Sequence, residues 1–172
     1  MRIRDADPER DAAGCAEVYA PVVAETAISF EEAPPGAEEM ARRIQAAKRW
    51  LVAEEDGKVI GYVYATEHRP RAAYRWAVEV TAYVGSEQRR RGVGRELYAA
   101  LFEHLRADGY RVACAGVTLP NDASIGLHRA MGFEEVGTYR RIGWKFGRWH
   151  DVMWFQLDLA PGAPDPPSEP VP

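Results

Sequence analysis

Cysteine is scarce in this chain, with Cys15 and Cys114 the only two among 172 residues. They form neither a metal-ligand spacing nor a disulfide framework. Each falls in an apolar pattern, which predicts two plain buried thiols in a reducing compartment. Long apolar runs are also missing. Although 47% of the residues are apolar, they never line up over the ~20 positions a bilayer span needs, and no secretory pattern opens the chain. The expectation is a cytoplasmic protein that does not engage a membrane. An excess of positive charge is absent, since the net charge is −4, which argues against a general nucleic-acid surface. There are no internal repeats. No Gly-Lys-Ser/Thr follows a glycine-rich turn, so a kinase-type phosphate loop is excluded. The Gly-x-Gly-x-x-Gly spacing of a dinucleotide site, with its acid on the second strand, is missing as well.

What is present has the length of one domain with room for a real core. Arg2-Ile3-Arg4 predicts a short strand, and Asp7-Pro8 the capped start of a helix with Ala12, Cys15, Ala16 and Tyr19 on one face. After the breaker Pro34-Pro35-Gly36, Met40, Ile44 and Ala47 mark a second helix. Trp50 to Glu55 and Lys58 to Thr66 form a hairpin across Asp56-Gly57. A basic loop, His68-Arg69-Pro70-Arg71, precedes the strand Ala77 to Val84. Leu97, Tyr98, Leu101, Phe102 and Leu105 then repeat at helical spacing up to Asp108, with Gly109 as the stop. Arg111 to Leu119 is a strand, and Asn121 or Asp122 caps a helix running to Met131, closed by Gly132. Glu134 to Ile142 and Val152 to Leu159 complete an antiparallel pair. The order β-α-α-β-β-β-α-β-α-β-β predicts an α+β, three-layer architecture: a mostly antiparallel, mixed sheet flanked by helices, over residues 1–159. From residue 160 onward the chain holds six of its twelve prolines and no hydrophobic period, which predicts a disordered tail over 160–172.

The junction between the Ala77–Val84 strand and the next helix carries the chemistry. Gln88-Arg89-Arg90-Arg91-Gly92-Val93-Gly94-Arg95 is an Arg- and Gly-rich turn. Its glycines let backbone approach a ligand, and its amides together with the helix N-terminus favour an anion such as phosphate.

This strand-turn-helix arrangement resembles the acyl-coenzyme A loop of the GNAT N-acetyltransferase superfamily, whose Arg/Gln-x-x-Gly-x-Gly/Ala pattern Arg89 to Gly94 fits. The element order is also that of the GNAT fold. Within the superfamily, the chain is most similar to the phosphinothricin and methionine sulfoximine N-acetyltransferase group, over roughly Ile3 to Leu159. Four blocks carry the likeness: Ile28-Ser29-Phe30-Glu31, Arg71-Ala72-Ala73-Tyr74-Arg75-Trp76, Leu119-Pro120-Asn121-Asp122, and the unusual run from Gly143 to Val152. The group's strand Thr-Val-Glu-x-Ser-Val-Tyr-Val stands here as Ala77-Val78-Glu79-Val80-Thr81-Ala82-Tyr83-Val84, keeping the acid and the tyrosine.

The resemblance implies an acetyl-CoA-dependent N-acetyltransferase working by direct attack in a ternary complex on a small amino-acid-like amine, such as phosphinothricin, methionine sulfoximine or methionine sulfone. The alternatives are a peptide, protein or polyamine acetyltransferase of the same fold, or a non-catalytic CoA-binding sensor. Glu79 is the expected general base, since an α-amino group titrates near pH 8 and must lose its proton for attack. Alternation points Glu79, Thr81 and Tyr83 to one face and Val78, Val80 and Ala82 to the other. His128 stands four residues before Gly132-Phe133, where the superfamily often has a tyrosine that protonates the leaving thiolate, and histidine can do so near neutral pH. Arg89, Arg90, Arg91, Gly92, Val93, Gly94 and Arg95 would hold the pyrophosphate. Backbone groups of Ala82, Tyr83 and Val84 would pair with pantetheine as an added strand does, and Asn121 and Ser124 would hold its arm. Phe30, Arg71, Tyr74 and Arg75 are the expected substrate contacts, the arginine forks suiting a carboxylate or phosphinate. The aromatic segment Trp144 to Phe155 suits an interface, and the family forms homodimers.

Overall fold

The computed structural model describes residues 1–171. Its elements, in chain order, are β1 (Arg2–Asp5), α1 (Pro8–Glu25), α2 (Ala37–Ala46), β2 (Arg49–Glu55), β3 (Lys58–Glu67), β4 (Ala77–Val84), α3 (Val93–Ala107), β5 (Val112–Thr118), α4 (Asp122–Ala130), β6 (Glu134–Lys145) and β7 (Arg148–Asp158). Asp7 accepts from the amides of Glu9 and Arg10 while Pro8 takes a first-turn position whose amide needs no partner, so α1 starts where the sequence places it. Asp56 and Gly57, at φ 52° and 76°, make the tight β2–β3 turn, which needs left-handed backbone at both positions.

The strands form one seven-stranded sheet in the order β1-β2-β3-β4-β5-β7-β6. Every neighbouring pair is antiparallel except β4 and β5. Two cores sandwich the sheet. On one face Leu97, Tyr98, Leu101, Phe102 and Leu105 of α3 bury against Val63, Val78, Val80, Ala113, Ala115 and Phe155. On the other, Cys15, Tyr19, Val22 and Val23 of α1 and Met40 and Ile44 of α2 cover Trp50, Val52 and Tyr62. The body of α1 packs on β3 and β4 and its last turn meets the end of β6 where Val23 accepts from Lys145, so most of the β5-β7-β6 end of the sheet stays open on the α1 side.

Two differences from the sequence reading follow from this layout. Cys15 is fully buried, whereas Cys114 is only partly so. It alternates with the core-facing Ala113 and Ala115 and therefore points to the uncovered face. The final pair of strands is also longer than expected, because β6 and β7 continue through the Gly143–Asp151 block and turn at Phe146-Gly147, both at positive φ (51° and 73°). No helix among the described residues is long and apolar enough to cross a membrane.

Residues 160–171, whose composition predicts disorder, carry no helix or strand and lie against the strand ends. Trp76 Nε1 donates to the Ser168 carbonyl at 2.8 Å, Arg75 forms a two-pronged pair with Glu169 at 2.6 and 2.7 Å, and the Val171 amide donates to the Asp108 carbonyl at 2.7 Å. These contacts are exposed, and exposed pairs contribute little. Deleting 160–172 is expected to cost about 1–2 kcal/mol, a fall in melting temperature of roughly 2–8 °C. Loss of cooperative thermal unfolding in the truncated protein would make the segment part of the core instead.

Candidate active site

β4 and β5 pair only over Ala77↔Val112, Val78↔Ala113 and Glu79↔Cys114. Beyond Glu79 the two strands part. Val80 to Val84 remain bonded to β3 on one side and face a cleft on the other. Val80, Thr81, Ala82, Tyr83, Gly116, Thr118, Asn121, Ser124 and His128 line that cleft, with Ile28 on one wall and Tyr98 at its base. A V-shaped gap with free backbone on one arm can take an extended, amide-bearing chain as a short extra strand.

At the top of α3 the chain is shaped for an anion. Gly92 is the N-cap in left-handed backbone (φ 82°) and offers no side-chain cap, so the first amides of α3 are open to a ligand. Arg90 is left-handed too, at φ 64°. Arg89, Arg90 and Arg95 are exposed. Arg91 differs, because its guanidinium makes two 2.9 Å bonds to Glu55 at the β2–β3 turn and another to Gln88. That pair holds the Glu55 carboxyl below the usual carboxylate range. It also fastens the loop to the sheet. Gly94 has ordinary helical placement, and a Cβ there would stand 3.3 Å from Leu127 Cδ2, so this glycine mainly lets α3 approach α4. Positive φ therefore makes Gly92 the stricter position. Gly92→Val is expected to weaken acetyl-CoA binding about tenfold, since a β-branched residue in left-handed backbone costs roughly 1–2 kcal/mol or more. Titration calorimetry checks this, and an unchanged affinity would show that the loop's shape is not needed.

Glu79 sits where the strands divide. Val78 and Val80 are buried under α3, so Glu79, Thr81 and Tyr83 take the α1 side, and Tyr83 packs on Tyr19 at 4.6 Å. The Glu79 carboxylate accepts from Arg69 Nη1 at 3.0 Å and stands 3.0 Å from His68 Nδ1. A carboxylate only accepts, so the Nδ1 proton lies on the shared side. Tyr74 meets His68 edge-on at 5.7 Å. Beside this group, on the uncovered face, a cavity of about 410 Å³ is lined by His68, Arg69, Cys114, Tyr139, Trp154 and Gln156. Burial raises the Cys114 thiol above its ordinary value, so it is a neutral lining group.

His68 and Arg69 were not among the expected site residues. Their only sequence signal was a basic loop ahead of the glutamate strand. The β3–β4 register, with Thr66 opposite Glu79, is what brings the loop back onto the carboxylate.

His128 is 4% exposed and sits between Phe155, stacked at 5.5 Å, and Tyr98. Its Nδ1 is 2.7 Å from the Ser124 carbonyl and its Nε2 3.1 Å from the Tyr98 hydroxyl. A carbonyl cannot donate, so Nδ1 carries the proton and Nε2 accepts from Tyr98. Burial lowers the histidine below its ordinary value and raises the tyrosine. Asn121 caps α4 through Oδ1, which accepts from the Ser124 amide at 3.2 Å, leaving its NH₂ end for other partners.

The four expected substrate contacts are not brought to one place. Tyr74 joins His68 and Glu79. Arg71 is exposed on the connection between Arg69 and Tyr74 and makes no ion pair among the described residues. Phe30 lies over Gly143, its ring 6.1 Å from that of His150. Arg75 points elsewhere: its guanidinium stacks 3.9 Å over Trp76 and pairs with Glu169, at the end where Val78 and Tyr110 lie.

Comparison with known proteins agrees with this geometry. Residues 4–154 match the family model described as an acetyltransferase (GNAT) domain. The phosphinothricin N-acetyltransferase of Streptomyces viridochromogenes is 37% identical, over 99% of this chain and 94% of that protein. The L-methionine sulfoximine/L-methionine sulfone acetyltransferase of Pseudomonas aeruginosa is 38% identical, over 92% and 95%. Among solved structures, a GNAT superfamily phosphinothricin acetyltransferase from Sinorhizobium meliloti in complex with acetyl-CoA superposes with a TM-score of 0.92 at 36% identity, covering 99% of this chain and 94% of that one. A parted β4–β5 pair, an uncapped α3 and a family match over most of its length lead to one conclusion: the chain belongs to the GNAT acetyltransferases.

Proposed function

We propose that this N-acetyltransferase transfers the acetyl group of acetyl-CoA to the α-amine of a small amino-acid-like substrate, of the kind its relatives phosphinothricin and methionine sulfoximine acetyltransferase are named for. The observation that carries the reading is the Glu79–His68–Arg69 group at the point where β4 and β5 part, beside a 410 Å³ cavity. Ala82 to Val84 would hold the pantetheine, with Asn121 and Ser124 on the other arm, and the loop from Arg89 to Arg95 would hold the pyrophosphate. Glu79 takes the ammonium proton, directly or through a water, as the amine attacks the thioester carbon. Free β4 amides stabilise the developing oxyanion, and holding amine and thioester together supplies much of the rate. The departing thiolate takes its proton from water, because burial keeps His128 neutral and Tyr98 a poor acid. Arg71 and Arg69 meet the substrate's acid group.

The exposed apolar side chains Ile142, Trp144, Phe146 and Trp149 crowd the β6–β7 hairpin at the sheet's edge. They support a homodimer with this hairpin in the interface, and light scattering of the purified protein would show twice the chain mass. The two unpaired cysteines support a reducing, cytoplasmic setting.

Release of free thiol from acetyl-CoA, measured over phosphinothricin, methionine sulfoximine, methionine sulfone, ordinary amino acids, polyamines and peptides, tests the reading. Acid-bearing α-amines should lead. Preferential acetylation of peptides or polyamines would overturn it, and acetyl-CoA binding without transfer to any amine would make the protein a sensor.

A further inference from the structure

The Gly143–Val152 block, distinctive in the sequence, contains a buried cation with no catalytic assignment. Lys145 ends β6 and is 8% exposed. Its Nζ donates to the Val23 carbonyl at 2.7 Å and to the Ser29 carbonyl at 2.8 Å, across 122 and 116 residues of sequence. Val23 is in the last turn of α1, where carbonyls lack helical partners and the dipole is negative. That turn has no basic residue of its own. A charge from the far side of the molecule supplies what the helix lacks.

Ser29 belongs to the segment between α1 and α2 that walls the cleft. Ile28 lines the gap between β4 and β5, and its carbonyl accepts from Thr118 Oγ1 at 3.4 Å. Phe30 lies on Gly143, where any Cβ would collide with the ring. Ser29 Oγ is 2.6 Å from the Tyr19 hydroxyl, which reaches Glu31 at 2.9 Å, and Glu31 is gripped by Arg43. The Lys145 carbonyl in turn meets His150 Nε2 at 3.0 Å. An ammonium buried on two carbonyls, with the Phe146 ring 5.1 Å away and no direct carboxylate partner among the described residues, is costly to keep, and burial lowers its pKa, partly opposed by the Glu31 charge. In return it ties both ends of one segment, the α1 terminus and Ser29, to the hairpin.

We infer that Lys145 is a positioning residue for the acceptor amine: it holds the Thr26–Glu31 segment so that Ile28 keeps its wall of the β4–β5 cleft beside Thr81 and Thr118. The kinetic part rests on the acetyltransferase reading above. In Lys145→Met, KM for the acceptor should rise about tenfold or more, while acetyl-CoA affinity falls by no more than about threefold, because the Arg89–Arg95 loop is untouched. Hydrogen exchange should speed up at the amides of residues 26–31 and stay unchanged at residues 85–95. Should Lys145→Met fail to fold, Lys145→Gln, which keeps a neutral donor, goes through the same measurements and is judged by the same outcomes. An unchanged acceptor KM, a parallel loss of acetyl-CoA affinity, or unaltered exchange at 26–31 would overturn the inference. If the wild-type protein acetylates no amine, the proposed function fails, yet exchange still reports whether Lys145 holds the segment.

Discussion

Glu79→Gln is expected to lower turnover by roughly 10²- to 10⁴-fold with acetyl-CoA affinity near that of the wild type. Glutamine keeps the side-chain length and an oxygen that can still accept from Arg69 and His68. What it removes is the capacity to take a proton. Glu79 is partly exposed and pinned by two donors on one oxygen, so its second oxygen is free to face an incoming ammonium. The proposed cofactor contacts lie further along β4 and at the top of α3, which is why binding of acetyl-CoA should hardly change. Steady-state rates and calorimetry on the same preparation separate the two effects. A variant that turns over at the full rate at neutral pH would remove Glu79 from the chemistry and leave it as the anchor of the His68–Arg69 loop.

Much of this site is legible in the amino-acid sequence. The strand from Ala77 to Val84 alternates so regularly that Glu79 and Tyr83 can be placed on one face, and β4 has the expected bounds. The glycine-rich turn between that strand and α3 follows from local chemistry, because left-handed backbone at Gly92 and an uncapped helix start are set by neighbours in sequence. What local pattern does not show is pairing across distance. The parting of β4 from β5 depends on a three-residue parallel register, and the return of His68 and Arg69 depends on the β3–β4 register across a nine-residue connection. Lys145 offers the clearest case. A lysine beside aromatic residues near a turn looks solvated, and only the packing of β6 against the α1 terminus reveals two carbonyls waiting for it. Arg91 is a milder case, since the turn's composition suggests three equivalent phosphate ligands, whereas Glu55 on another strand takes one of them as a fastening.

The arginines ahead of β4 give the sharpest test of what the enzyme recognises. Sequence resemblance treats Arg71 and Arg75 alike, and the structure separates them. Arg75 is committed to Trp76 and Glu169 beside the C-terminal segment. Arg71 precedes the turn Ala72–Tyr74, on the connection whose His68, Arg69 and Tyr74 gather at Glu79. A substrate whose α-amine faces Glu79 presents its acid group within reach of that side. Losing a charge-assisted contact costs about 1.5–3 kcal/mol, roughly ten- to a hundredfold in kcat/KM. Arg71→Ala should therefore lose that much on the acid-bearing substrate and almost nothing on its decarboxylated analogue. Arg75→Ala should stay within about twofold on both, because the pair it breaks is exposed and made with the C-terminal segment. If the losses fall on Arg75 instead, its pair with Glu169 must open when substrate binds, and the C-terminal segment becomes part of the recognition step. If the decarboxylated analogue is acetylated as well as its parent by the unmodified enzyme, no arginine clamps an acid group, and the acceptor is a polyamine or a peptide.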